Sequence, residues 1–317
     1  MAKIAVISDI HGNMHALELF IQDANKRGIN EIICLGDFVS KYLNNAEVVE
    51  EILKMKLLKS VKGNLEYFIK EAPEAFPYVI RSLRSNQVRY LTNLPEREQL
   101  LISGTIIDFF HASPHNIEAI FNPFIEPAIQ NPRYKKLGLI EENVNNMLIF
   151  NETAQKISRR RISLCGHTHQ QYMGIVNESR LQLTITPELI IKPNMEAIIN
   201  VGSIGDPSYT VVDNGKLEFY VDHYISYVVL EGELNSTKES DIRVEVIKIP
   251  YKETLKKVYM DMRNVKRTWE EKQNVGDVFS NNQATKEFTE ISGITKFNYQ
   301  RIHESIERES EATKLNK

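Results

Sequence analysis

At 317 residues, with 42% hydrophobic and 26% charged side chains, the chain has the composition of a soluble globular protein, which excludes disordered, collagen-like and membrane-spanning polypeptides. Lys and Arg number 39 against 42 Asp and Glu, so a formal net charge of -3 gives no global attraction to nucleic acid or an anionic membrane. The two cysteines, Cys34 and Cys165, lie in apolar runs and read as reduced core filling; with an N-terminal apolar stretch too short for a signal peptide, the expected compartment is the cytoplasm.

Residues 3–8 form a short β-branched apolar run, which suits a strand covered on both faces. A helix follows, capped by Asn13, carrying Met14, Leu17, Ile21 and Ala24 at helical spacing and stopped by Gly28. The pattern repeats with an apolar run at 31–35, a helix from about Asn45 to Lys56 and a run at 57–62, which predicts βαβ units and a partly parallel sheet. Residues 65–100 read as largely helical and 105–110 as a strand. Residues 112–160 read as an insertion, rich in proline at first and helical in its second half. From 162 onward, runs at 162–165, 181–186, 188–192, 196–201, 208–212, 216–221, 226–230 and 243–249 are separated by turn residues, so the second half of the core is expected to be β-rich. After Pro250, a stripe of Leu255, Val258, Tyr259, Met262, Val265 and Trp269 predicts a helical appendage over 253–317, read as a packing or homo-oligomer face.

Five polar clusters follow strand-like runs: Asp9 and His11, Asp37, Asn64, His111, and His167 with His169. In an open α/β sheet the carboxyl ends of the strands share one edge, so clusters far apart in sequence converge there. Two Asp, one Asn and four His make a mixed oxygen and nitrogen donor set suited to Mn, Fe or Zn and lacking the thiolates of a structural zinc site. Seven donors exceed the need of one ion with an open position and suit two ions sharing a carboxylate, an arrangement that serves phosphoryl transfer. Strand alternation is expected to send Asp9 and His11 to one side, and likewise His167 and His169. Taken singly, each of these residues has an ordinary explanation as a turn residue, a cap or a core histidine; the combination does not.

The blocks Ser8-Asp9-Ile10-His11-Gly12-Asn13, Gly36-Asp37-Phe38-Val39, Gly63-Asn64-Leu65-Glu66, Phe110-His111-Ala112-Ser113-Pro114 and Gly166-His167-Thr168-His169 resemble, in order and spacing, those of the calcineurin-like metallophosphoesterase superfamily. Asn200-Val201-Gly202-Ser203 resembles a loop of its small prokaryotic phosphoesterases. The resemblance spans residues 1 to about 250. It implies an α/β (α+β) fold, a two-layered β core flanked by helices with the C-terminal helical appendage added, and a 1–252 catalytic domain followed by a 253–317 extension. It implies that Asp9, His11 and His169 hold one metal, that Asn64, His111 and His167 hold a second, and that Asp37 bridges them, with Asp37, Asn64 and His111 carrying the catalysis. A hydroxide between two divalent ions, manganese, iron or zinc, would be the nucleophile. Many members carry histidine directly after the asparagine; Leu65 stands there instead and cannot protonate a leaving group.

The expected function is therefore a metal-dependent phosphoesterase of a small phosphorylated substrate, with diesters and nucleotides favoured over phosphomonoesters. The alternatives are a phosphoprotein phosphatase or a non-catalytic scaffold on the same fold. Neither nucleic acid nor membrane is the favoured partner. His15 at the first turn of the helix is read as a solvated helix residue, His115 as a polar loop histidine, and Arg159-Arg160-Arg161 as a basic helix C-terminus complementing the dipole rather than steering a phosphorylated ligand.

Overall fold

The computed structural model describes residues 1–124, 139–149 and 160–251, apart from positions 42, 185, 214 and 215, together with residues 264 and 266. In its first strand, β1 (Ala2–Ile7), every residue from Ile4 to Ile7 is fully buried, because the strand has protein on both faces. Ile4 and Val6 enter the space between two sheets; Ala5 and Ile7 face a layer of helices. That parity is the period of two of an extended chain, and it fixes the register.

After β1 come α1 (Met14–Lys26), β2 (Glu31–Cys34), α2 (Asn45–Met55), β3 (Lys59–Ser60) and α3 (Asn64–Glu71). Two short helices, α4 (Pro77–Ser82) and α5 (Ser85–Thr92), lead to the hairpin β4 (Arg97–Ile102) and β5 (Thr105–Phe110). The β-rich half comprises β6 (Ile162–Cys165), β7 (Tyr172–Asn177), β8 (Arg180–Leu183), β9 (Glu188–Ile191) and β10 (Glu196–Asn200). It continues with β11 (Ser208–Asp213), β12 (Lys216–Val221), β13 (Tyr224–Gly232) and β14 (Ile242–Pro250).

One six-stranded sheet runs β3-β2-β1-β13-β14-β9 and a second runs β4-β5-β6-β10-β7-β8, while β11 and β12 form a separate hairpin. The two layers are the predicted β core. Strands β1, β2 and β3 are mutually parallel in the first sheet, and β5, β6 and β10 are parallel in the second. Between the sheets lies an apolar cluster including Ile33, Leu35, Phe109, Leu164, Ile199 and Val228. Leu17 and Phe20 of α1, Val48 and Val49 of α2 and Phe68 of α3 cover the other face of the first sheet. Phe121, Met147 and Leu148 cover the outer face of the second sheet against Phe110, Tyr172 and Ile198. Both cysteines are buried and free.

Three local expectations are corrected. The helical reading of 65–100 ends early, because Arg97–Ile102 is β4, whose Leu100 and Ile102 point inward while Leu101 between them does not. The run at 57–62 contributes only the two-residue β3. β7 escapes a search for apolar runs because Gly174 interrupts it; a Cβ there would come within 2.5 Å of Leu181 Cδ1 on β8, so the gap in hydrophobicity is a close strand contact. In the insertion, the described residues 139–149 hold a 3₁₀ turn at Val144–Met147 and an isolated bridge between Ile120 and Ile140. Most of its expected helical half, and the 253–317 appendage save positions 264 and 266, lie outside the described residues. Among the described residues no helix is long and apolar enough to cross a membrane.

Arg160 and Arg161, read from the sequence as part of a basic helix end, stand immediately before β6 and serve structural roles. Arg161 pairs with Glu196. Arg160 is 3% exposed and ties the two sheets together: it donates to Thr105 Oγ1 on β5, to Ser103 O at 2.8 Å, to Ile191 O of β9 at 3.0 Å and to Ser240 O at 3.1 Å. Replacing it by Met would keep the buried stem and strand these acceptors. Arg160→Met is expected to lower the free energy of unfolding by about 3 kcal/mol, read from the midpoint of urea denaturation at unchanged slope.

Candidate metal centre

The predicted site residues come together where the carboxyl ends of the parallel strands of both sheets meet. β1 delivers Asp9 and His11, β2 delivers Asp37, and β3 leads into Asn64 at the start of α3; from the second sheet, β5 delivers His111 and β6 delivers His167 and His169. The loops are stitched by main-chain bonds, Asp9 N–H to Gly36 O at 3.0 Å, His11 N–H to Asp37 O at 2.8 Å and Gly166 N–H to His111 O at 2.8 Å. Across the sheets, His167 N–H donates to Asp9 Oδ2 at 3.0 Å.

Convergence within each Asp-x-His or His-x-His pair does not come from strand alternation, as the sequence suggested. β1 stops at Ile7 and β6 at Cys165, and Asp9, His11, His167 and His169 all have left-handed backbone, with φ of 57°, 51°, 65° and 59°. Asp37 shares that conformation at 53°. Each such residue costs on the order of 1–3 kcal/mol unless its surroundings impose it, and a cluster of five in one cavity marks a functional site. Gly36, at φ +97°, permits the approach of the second and third loops, since a Cβ there would lie 2.2 Å from Gly63 N.

The donors fall into two groups. Asp9 Oδ1 lies 3.3 Å from His169 Nε2 and 3.7 Å from His11 Nε2, and the two imidazole nitrogens are 3.0 Å apart. Asn64 Oδ1 lies 3.0 Å from His111 Nε2 and 3.1 Å from His167 Nδ1. Asp37 Oδ2 stands between the groups, 3.9 Å from His11 Nε2 and 3.6 Å from His111 Nε2, while its Oδ1 accepts from Leu65 N–H at 2.9 Å. Asp9, Asp37 and His111 also form a compact triple of candidate donors, as do Asp9, His11 and His169.

These residues fit a cationic guest. Asp9 is fully buried and its Oδ1 has no hydrogen-bond partner, although a buried carboxylate oxygen normally has one. Backbone carbonyls fix the outer nitrogens: His111 Nδ1 lies 2.7 Å from Leu35 O, and His169 Nδ1 lies 2.9 Å from Ser208 O. Donation to those carbonyls leaves each Nε2 lone pair facing inward, as metal-binding histidines are held.

The electrostatics point the same way. Burial raises the Asp9 carboxyl, but His169, His111 and His11 outweigh it and hold Asp9 well below the carboxylate range. Burial depresses His169, yet the Asp9 carboxylate lifts it to about 9. Burial, reinforced by Glu66 and Asp9, drives Asp37 well above the carboxylate range. Burial lowers His11 to about 4 and His167 to about 3, and it lowers His111 too. The shifts thus favour added positive charge beside Asp9 and a neutralised carboxyl at Asp37, the two places a cation would serve.

Other expectations resolve differently. Asn13 is spent on structure: its Oδ1 accepts from Ala16 N–H at 3.2 Å and its amide donates to Gly205 O at 2.7 Å and to Tyr251 Oη. His15 is half-buried rather than solvated. The Asn200–Ser203 loop braces the centre, with Asn200 Nδ2 donating to Gly166 O at 2.6 Å and Ser203 Oγ to Asp9 O at 2.9 Å.

A residue the sequence reading left without a role is Glu66. Fully buried, its carboxylate accepts from Asp37 N–H and Gly63 N–H at 2.8 Å each and from Phe38 N–H at 2.9 Å. It clamps the Asp37 loop to the turn that carries Asn64. Its signal in the sequence is half a capping box, an acidic residue three positions after the helix N-cap Gly63.

The chain has relatives of known sequence and fold. Residues 2–216 match the family model of the calcineurin-like phosphoesterase superfamily domain, and the chain belongs to that superfamily. An uncharacterized protein of Methanocaldococcus jannaschii is 25% identical over 270 residues, spanning 81% of this chain and 90% of that protein. A metallophosphoesterase crystal structure from Sphaerobacter thermophilus superposes with a TM-score of 0.51 at 20% identity, covering 83% of this chain and 94% of that one. A hypothetical protein from Pyrococcus horikoshii gives 0.50 at 16% identity, covering 84% and 94%. These two share the fold.

Glutamine at position 66 would face at least one of the three N–H donors with its own amide. Glu66→Gln is therefore expected to weaken Mn²⁺ binding about 10–100-fold while the far-ultraviolet spectrum stays that of the parent, checked by titration calorimetry. Unchanged affinity would mean the two loops are held by other contacts.

Proposed function

We propose that the chain is a metal-dependent phosphoesterase with two divalent cations, one held by Asp9, His11 and His169 and the other by Asn64, His111 and His167, with Asp37 between them. The observation that carries this reading is the convergence of all seven donors, from five separate loops, on one buried volume. Two such cations, when bound, lower the pKa of a shared water towards neutrality and clamp the attacking and leaving oxygens of a phosphoryl transfer. The protein's part is to hold the donors with their lone pairs inward, to keep Asp37 oriented through Leu65 N–H and Glu66, and to exclude water from the side of the site that packs against α3. In this reading residues 1–252 are the phosphoesterase domain, 112–160 its insertion and 253–317 an extension of helical periodicity.

Leu65 bears on the substrate. It is 2% exposed and packs in the helix-side core with Phe68 and Ile69. It offers no proton to a departing alkoxide, so esters with good leaving groups are favoured: aryl phosphodiesters and nucleotide anhydrides ahead of alkyl monoesters. A positioned general acid is worth about 10²–10⁴-fold, and its lack penalises poor leaving groups most.

The Mn²⁺-loaded protein is expected to hydrolyse bis-p-nitrophenyl phosphate with kcat/KM at least about 10²-fold above that for a simple alkyl phosphate. Equal rates would show that another group supplies the proton. In elemental analysis His169→Ala is expected to keep about one equivalent of metal per chain, whereas Asp37→Asn loses most of both, because it removes the charge shared by two cations. An Asp37→Asn protein with full metal content and full activity would refute the bridging role.

A further inference from the structure

Directly beside His169 is a cavity of about 90 Å³, lined on its open side by Tyr209, Asp222, Tyr224 and Lys248 and on its inner side by Gln171 and Ser226. Its shape follows from strand register. Ser226 of β13 pairs with Lys248 of β14, and Tyr224, two residues before Ser226, lies on the same face of the sheet. Asp222 is held at the end of the β11–β12 hairpin by donation of its N–H to Pro207 O at 2.9 Å. The floor requires Gly202, at φ +77°: a Cβ there would come 2.0 Å from Ser226 Oγ and 3.0 Å from Gln171 Cβ. The His169 imidazole is the wall between this cavity and the candidate metal centre, and its Nδ1 is anchored to Ser208 O on the same hairpin. A group attached to a phosphorus held at that centre has this cavity as its neighbour.

The lining selects a chemistry. Asp222 and Lys248 carry opposite charges, so the cavity presents no net positive field to a second phosphate. An aliphatic group would cover the carboxylate, the ammonium and the Gln171 amide without bonding to any of them, which is unfavourable. Hydroxyl groups, each both donor and acceptor, satisfy all three, and the rings of Tyr209 and Tyr224, the latter 44% exposed, offer faces to C–H bonds. Pockets that enclose a whole small ligand measure roughly 300–1,000 Å³, so this one accommodates a single substituent of the phosphate. Resting on the phosphoesterase reading above, we infer that the cavity is a subsite for a hydroxyl-rich alcohol, a sugar or polyol, esterified to the phosphate under attack.

The test uses the full Mn²⁺-loaded chain and two probes of equal carbon skeleton, glycerol 1-phosphate and propyl phosphate, titrated by calorimetry. Glycerol 1-phosphate is expected to bind about tenfold tighter, and Asp222→Asn and Lys248→Met are each expected to bring the ratio of affinities towards one. Equal affinities in the parent, or a ratio that neither substitution moves, overturns the assignment. The p-nitrophenyl diesters of the same two alcohols separate this inference from the activity. If neither is hydrolysed but the binding preference stands, the subsite survives and the phosphoesterase reading falls. If both are hydrolysed with the same kcat/KM and the two products bind alike, the activity survives and the subsite falls.

Discussion

Three carboxylates, Asp9, Asp37 and Glu66, are buried within one small volume, and the rest of the architecture answers that constraint. Unpaired ionised carboxylates in a protein interior are prohibitively costly, so each needs donors or cations. Glu66 has three backbone N–H groups, and its charge is met by hydrogen bonds alone. Asp9 has a single backbone donor on Oδ2 and a bare Oδ1 surrounded by imidazoles. Asp37 has one donor and lies close to two further negative groups. The donors that Glu66 possesses and the other two lack divide the three by role: the first is structural glue, the others wait for positive charge.

The sandwich makes that concentration possible. Parallel strands in both sheets end on the same edge, so loops from β1, β2 and β3 meet loops from β5 and β6 without any long excursion of the chain. Chain order and spatial order differ, since β13 returns to pair antiparallel with β1 and β10 inserts beside β6. Those late strands bring the Asn200–Ser203 loop behind Asp9, where Ile204 N–H and Gly205 N–H bond to Ser8 O at 3.1 Å and Asp9 O at 2.9 Å. The left-handed turn at Asp9 is thus held from behind by a segment nearly two hundred residues away. Strain at the centre is local, and its support is global.

This division explains what the sequence revealed. Residues 3–8, 105–110 and 162–165 are mainly apolar because most of their side chains are covered on both faces, and the polar clusters that follow them stand out by contrast. The site was legible for that reason. β4 was hidden because its first three residues, Arg97, Glu98 and Gln99, are polar, and β7 because Gly174 sacrifices hydrophobicity for contact with β8. Arg160 was misread because a cation whose partners are a hydroxyl and three carbonyls from three distant segments leaves no pattern near itself in the chain. Glu66 stood in a recognised block, but its three acceptor bonds are a property of the folded loops. Left-handed backbone at non-glycine residues is equally silent in the sequence, since Asp and His carry no mark of the conformation they adopt.

The two flanks of the centre differ in kind, and that difference bears on selectivity. On the α3 side, Leu65, Phe68 and Ile69 close the structure with hydrocarbon. On the opposite side, past His169, the wall is polar and the space is open to solvent through Tyr224 and Lys248. On the proposed function, discrimination among phosphate esters by hydrogen bonding would act, among the described residues, on that second flank, because a hydrocarbon wall distinguishes shapes weakly while unpaired polar groups penalise the wrong substituent strongly. On that reading the donors of the centre serve phosphoryl chemistry in general, and the proposed selectivity between esters falls to the hairpin and strand ends around His169. There the chain places its charged and aromatic side chains at the mouth, and Gly202 gives room to Ser226 and Gln171 beneath them.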